Sequence, residues 1–182
     1  MTQNTYEPMI SPSKLDGTIR TLSGRKFDFS RPSPEMIDIR DIASGLAYKG
    51  HFAGQTPKMF TIAQHCILVC NEYCLRNANE SDEMKLMALL HDASEAYTGD
   101  IVKPLKMYLP NFVSLENSIM QAIALRFKLP IHRMSEIKEI DLLIQNLEYD
   151  GFFRGAKIVY HDPEFCRRMF LKSFKGFYHE QP

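Results

Sequence analysis

From residue 33 onward, apolar residues recur at helical spacing, broken by short polar segments. Ser33-Pro34-Glu35 reads as a helix start, with Ser as cap and Pro in the first turn; Ile39, Ile42, Ala43 and Leu46 follow on one face until Gly50. A second stripe, Ile62, Cys66, Val69, Cys70 and Tyr73, predicts a helix starting near Thr61. Residues 86–90 are apolar on every side and predict a buried helix over about 83–98, closed by Gly99. Leu115, Ile119, Ala122, Ile123 and Phe127 mark a helix over roughly 111–128, which Leu129-Pro130 stops. Ile137, Ile140, Ile144 and Leu147 mark another over about 134–150. Asp162-Pro163-Glu164 opens the last helix, with Phe165, Met169, Phe170, Phe174 and Phe177 as its docking bulk. Only Arg25, Phe27 and Phe29 alternate with period two, which predicts a short extended piece or a β-ribbon near the N-terminus. The pattern is that of an all-α protein: a compact, single-domain bundle over residues 17–182, preceded by a polar N-terminal arm over residues 1–16.

Composition narrows the partners. With 22 basic and 22 acidic residues among 182, no broad field favours nucleic acid or an anionic membrane, so phosphate binding must come from a few placed cations. No apolar run approaches the roughly 20 residues of a membrane span. The polar N-terminus lacks a secretory core, so a cytoplasmic location is expected. Cys66, Cys70, Cys74 and Cys166 lack the spacing of a zinc knuckle and read as small hydrophobes.

Four polar residues interrupt the apolar surfaces. His65 sits at the edge of its helix's stripe; it is either a core histidine bonded to a backbone carbonyl or a ligand. His91 and Asp92 end the most apolar helix, with Glu95 one turn on and Asp100 beyond Gly99. Asp141 falls inside an apolar stripe, where a carboxylate is rare unless paired, with Arg126 for instance, or coordinated. Two imidazoles and two carboxylates from three helices would leave two positions open on a six-coordinate divalent ion. Such a mixed set suits Mn, Co, Fe, Ni or Zn better than Mg.

The order His65, His91-Asp92, Asp141 resembles the H…HD…D signature of the HD-domain metal-dependent phosphohydrolases. The run from His91 to Asp100 is similar to the branch that contains bacterial 5′-deoxynucleotidases and small phage dATP triphosphohydrolases. Further similarity lies in Ser23–Phe27, Asp38–Ala43, Ile62–His65 and Pro104–Lys106, so the resemblance covers most of residues 20–150. It implies an HD-type helical fold, one bound divalent metal ion, and Glu95 and Asp100 as acid/base residues. It also implies a nucleotide substrate and a homo-oligomer. The expected activity is dNTP triphosphohydrolase, releasing nucleoside and triphosphate. A 5′-deoxynucleotidase that frees phosphate from dNMPs is the first alternative, and a non-catalytic nucleotide-binding regulator the second. Candidate phosphate contacts are Arg25, Lys26, Lys103 and Lys106; Phe27 and Phe52 either stack on a base or pack in the core. Where many relatives carry R-F-x-G-H, this chain has His51-Phe52-Ala53-Gly54-Gln55, so His51 and Gln55 are either pocket residues or plain loop residues.

Overall fold

The structure, a computed structural model, describes residues 16–179. Apart from Asp16, the expected arm lies outside the described residues. The fold is all-α with a small ribbon. Strands β1 (Thr18–Arg20) and β2 (Lys26–Asp28) pair antiparallel with Ile19 opposite Phe27. Helices α1 (Ile39–Ala47), α2 (Ile62–Arg76), α3 (Asp82–Leu89) and α4 (Glu95–Thr98) follow, then α5 (Lys103–Lys106), α6 (Pro110–Phe127), α7 (Met134–Phe153) and α8 (Pro163–Phe177). Among the described residues, no helix is long and apolar enough to cross a membrane.

Most helix starts follow from their caps. Thr61, Ser81 and Asp162 accept bonds from backbone amides of the first turns of α2, α3 and α8. Ser33 departs from expectation. Pro34–Met36 forms only a 3-10 turn, Ser33 makes no side-chain cap bond, and Ile37 returns to extended backbone. Asp38 caps α1 instead, accepting from Arg40 N.

The core lies where α2, α3 and α8 meet, with α1 across α8 and α7 along α2. Leu86, Met87, Ala88, Leu89 and Leu90 are at most 2 % exposed, which explains why α3 is apolar all round. Each large side chain buried there contributes about 1.5–3 kcal/mol. The ribbon docks through Phe27, fully buried and stacked on Tyr97 at 4.1 Å, and through Ser23, whose N and Oγ donate to Asp41 at 2.6 and 2.7 Å. Cys66, Cys70 and Cys166 are buried and Cys74 half-buried; all four are free thiols.

Two expectations about helix faces need correction. The helix over 83–98 is interrupted: α3 ends at Leu89, and Glu95 belongs to α4, not to the helix that precedes His91. Between them the amides of Ala93, Glu95 and Ala96 each donate three residues back, at 3.0–3.2 Å. At three residues per turn, Asp92 and Glu95 eclipse on one side. In α7 the buried stripe turns toward Glu148, leaving Leu147 57 % exposed.

Candidate metal centre

His65 on α2 is fully buried, with α7 alongside. Asp141 and Glu148 lie seven residues apart on the buried face of α7, a rise of about 10 Å. The His65 ring fits between them: Nε2 is 3.0 Å from Asp141 Oδ1 and Nδ1 is 3.0 Å from Glu148 Oε1. His91, on the turn after α3, has its Nδ1 2.9 Å from Ala88 O, which fixes the tautomer with the proton on Nδ1. Its Nε2 is buried with no hydrogen-bond partner. Asp92 brings a carboxylate oxygen 3.2 Å from His91 Nε2 and 3.7 Å from His65 Nε2. One donor atom from each of His65, His91, Asp92 and Asp141 lies within 4.8 Å of the other three. Donors about 2.1 Å from one ion sit about 3.0 Å apart when adjacent and about 4.2 Å when opposite. The spacing, the orphaned His91 nitrogen and the mixed N/O chemistry all fit a divalent metal ion.

The supporting residues fit as well. Imidazole ligands usually give their other N–H to a carboxylate or carbonyl, as His65 does to Glu148 and His91 to Ala88. Gln145 Nε2 donates to Asp141 at 2.7 Å, and Lys103 Nζ in turn donates to Gln145 at 3.0 Å. Burial alone would raise the Asp141 carboxyl, but His65 and His91 hold it well below the usual range. The expected alternative for Asp141, a pair with Arg126, is not formed; Arg126 lies over Phe127 instead.

Glu95 is 6 % exposed and faces the same region. Burial, then the charges of Asp92 and Asp100, push it up to about 9. Its Oε2 has no hydrogen-bond partner, while Lys106 Nζ lies 3.4 Å from Oε1 and 2.9 Å from Glu116. Its backbone is gripped from just beyond α1, where Lys49 Nζ donates to the carbonyls of Glu95 at 3.0 Å and Ala96 at 2.6 Å. Asp100 accepts from Ala53 N at 3.2 Å and lies 3.1 Å from His51 Nδ1. Burial would raise its pKa, but the His51 bond lowers it, so Asp100 is ionised.

Two cavities open beside the cluster, sharing Asp92, Glu95, Lys106 and Asp141 in their walls. One, of about 390 Å³, is largely apolar and includes Phe52, Ile101, Val102 and Pro104. The other, of about 340 Å³, is more polar and includes Asn117, Gln121 and Lys138. A third, apolar cavity of about 560 Å³ between α2, α7 and α8 touches this region only through Glu148.

Several candidate substrate contacts fall elsewhere. Phe27 is core. Arg25 pairs with Asp38 at 3.5 Å and bonds Glu35 O, and Lys26 pairs with Asp16 at 2.8 Å; neither lines these cavities. Gln55 is exposed and lines neither. Lys103, Lys106, Phe52 and His51 do line them, His51 being buried beside Asp100. Glu148, Glu116, Gln145 and Lys49 were absent from the sequence-based set. For Glu148 a signal existed: it lies seven residues from Asp141 and therefore on the same face.

No protein-family model matches the chain. It is 38 % identical over 122 residues to an uncharacterized protein of Rhodobacter capsulatus, covering 65 % of this chain and 62 % of that protein, less than two thirds of its length. It is 34 % identical over 126 residues to the uncharacterized protein YfdR of Escherichia coli, covering 69 % of this chain and 67 % of YfdR. By that identity and coverage, the chain belongs to the same protein family as YfdR.

Proposed function

We propose that this chain is an HD-type metal-dependent phosphohydrolase acting on deoxynucleotides, and that it cleaves deoxynucleoside triphosphates of the dATP type to nucleoside and triphosphate. The observation that carries this reading is the convergence of His65, His91, Asp92 and Asp141 on one point, with an unbonded Glu95 oxygen in the wall beside it. The similarity of residues 91–100 to the nucleotide-hydrolysing HD branch supports the substrate class. A divalent ion at the cluster would supply Lewis acidity to a phosphoryl oxygen and make water nucleophilic near neutral pH.

The chain's own residues account for the remaining steps. Glu95 is the base: burial is the largest cause of its raised pKa, and charge compensation of Asp92 would remove the next largest, favouring the carboxylate that proton abstraction needs. Asp100, ionised and held by His51 and Ala53 N, orients the attacking water. Water forms the new O–P bond at Pα, the bond from Pα to the 5′ oxygen breaks, and the proton taken by Glu95 passes to that oxygen. Lys106 keeps Glu95 in place and, with Lys138, gives the polar cavity its cations. Two cavities meeting at the cluster favour triphosphate release, one for the nucleoside and one for the phosphate chain.

A second reading has its own observation. Lys106 is paired with both Glu95 and Glu116, so its charge is compensated and, among the described residues, only Lys103, bonded to the neutral Gln145, and Lys138 bring uncompensated positive charge to the cavities. That favours a substrate with fewer phosphate charges, as for a 5′-deoxynucleotidase. The test is one assay: protein with Mn²⁺ or Co²⁺, a panel of dNTPs, dNMPs and NTPs, and products separated by chromatography. Nucleoside plus triphosphate is the expected result. Nucleoside plus phosphate from monophosphates alone selects the second reading, and no product from any nucleotide overturns both.

A further inference from the structure

The turn that follows α1 is held in an unusual backbone. Phe52 and Ala53, neither of them glycine, have φ of 55° and 51°, and Gly54 continues at 73°. Consecutive left-handed side-chain-bearing residues persist where the surroundings over-determine them, and they cluster at functional sites. Here His51 N donates to Phe60 O at 2.8 Å, Gly54 N to His51 O at 3.0 Å and Ala53 N to Asp100 at 3.2 Å. The Phe52 ring packs edge-on against His51 and Phe152.

This turn buries the His51 ring to 6 % exposure and stacks it on His65 at 4.3 Å. Nδ1 lies 3.1 Å from Asp100 Oδ2, and Nε2 points toward Glu148 Oε2 at 3.4 Å without a bond of its own. Glu148 meets His65 Nδ1 through both oxygens, at 3.0 and 3.1 Å. Both ring nitrogens of His51 therefore face carboxylates and one ring face is covered by His65, while the ring also forms part of the wall of the apolar cavity.

We propose that His51 is a positioning residue: it ties Asp100 to Glu148 and, through Glu148, fixes the His65 ring, so that the water-orienting carboxylate and a metal ligand are aligned by one side chain. The kinetic consequence rests on the phosphohydrolase reading; the consequence for metal binding does not.

The experiment is a double-mutant cycle on Co²⁺ binding, read by calorimetry, for the wild type, His51→Ala, Glu148→Gln and the double variant. Glu148→Gln should weaken binding by about 10–100-fold. His51→Ala should weaken it about 3–10-fold, and it should add nothing in the Glu148→Gln background, because coupled residues are not additive. In turnover, His51→Ala should lower kcat about tenfold or more with KM within about twofold, and lower it no further in an Asp100→Asn background. His51→Asn, whose amide can still donate to Asp100, should recover part of the loss; it also serves as the test variant if His51→Ala fails to fold. Independent, additive effects on Co²⁺ affinity overturn the proposal. So does a raised KM with kcat unchanged, which would make His51 a substrate contact. A wild type that binds Co²⁺ yet turns over no nucleotide overturns the function and leaves the binding cycle to decide His51.

Discussion

Gly45 sits inside α1, where an alanine would ordinarily help. Alanine is about 0.8–1.0 kcal/mol more favourable than glycine in a helix interior. The structure predicts the opposite sign here. A Cβ at Gly45 would lie 2.8 Å from Ala96 Cα and 2.9 Å from Ala96 Cβ, and closer still to the Ala96 carbonyl oxygen. These atoms are backbone or a methyl attached to it, so no flexible side chain can move aside. Relief requires α1 and α4 to separate, and forced overpacking of this kind costs about 1–3 kcal/mol. The loss of the Lys49 bond to Ala96 O would add to it. After the helix-propensity gain, Gly45→Ala should be destabilised by about 1–2 kcal/mol, a Tm drop of about 3–6 °C for a chain of this length. Gly176→Ala in α8, where a Cβ meets nothing within 4 Å, provides the control and should leave Tm unchanged or raise it slightly. Because α4 begins at Glu95, the Gly45→Ala variant should also lose turnover beyond its loss of fold. Scanning calorimetry of both variants, followed by activity at a temperature where each is folded, makes the comparison. A Tm for Gly45→Ala at or above the wild type, with full activity, would refute the close packing of α1 on α4.

Three further outcomes are expected. Glu95→Gln should bind Mn²⁺ with near wild-type affinity and lose about 10²–10⁴-fold in kcat; near wild-type turnover would remove Glu95 as the base. His65 and His91 are raised above the ordinary histidine range despite burial, by Glu148 and Asp141 and by Asp92 and Asp141 respectively, which favours their protonated forms when no ion is bound. Ligation must expel those protons, so metal affinity should climb as pH rises and binding should release protons, measurable by calorimetry in buffers of different ionisation enthalpy; pH-independent affinity would contradict it. Asp38 is held at about 2 by Arg40, against burial, so its stabilisation is full above about pH 4 and lost as pH falls through 2. Asp38→Ala should therefore cost about 1 kcal/mol at pH 7 by denaturant unfolding and progressively less in acid, and an unchanged midpoint at pH 7 would rule out Asp38 as the cap of α1.

Helical periodicity was legible because core helices must present one apolar face, and α2, α6, α7 and α8 lie within a few residues of where their stripes place them. The four donor residues were legible for the converse reason: His65 and Asp141 are polar positions on buried faces. What the pattern could not convey was helix pitch. Residues 83–98 contain neither glycine nor proline, yet the chain tightens after Leu89 to aim His91, Asp92 and Glu95, and nothing in composition distinguishes three from 3.6 residues per turn. A related small error put Leu147 rather than Glu148 in the stripe of α7: 3.6 residues beyond Ile144 falls between them, and only the partner, His65, decides. The cations were hardest to place. Arg25 and Lys26 belong to a short motif whose Ser23 bonds Asp41 and whose Phe27 fills the core, so in this fold the motif anchors the ribbon.

Titration of Mn²⁺ into wild type and Asp141→Asn tests most directly whether His65, His91, Asp92 and Asp141 together hold one divalent ion. One ion should bind per wild-type chain, with binding at least tenfold weaker in the variant and a larger rise of Tm in Mn²⁺ for the wild type than for the variant. At 100 times its dissociation constant the ion should stabilise the wild type by about 2.7 kcal/mol. No binding by the wild type, or equal binding by the two proteins, would contradict it.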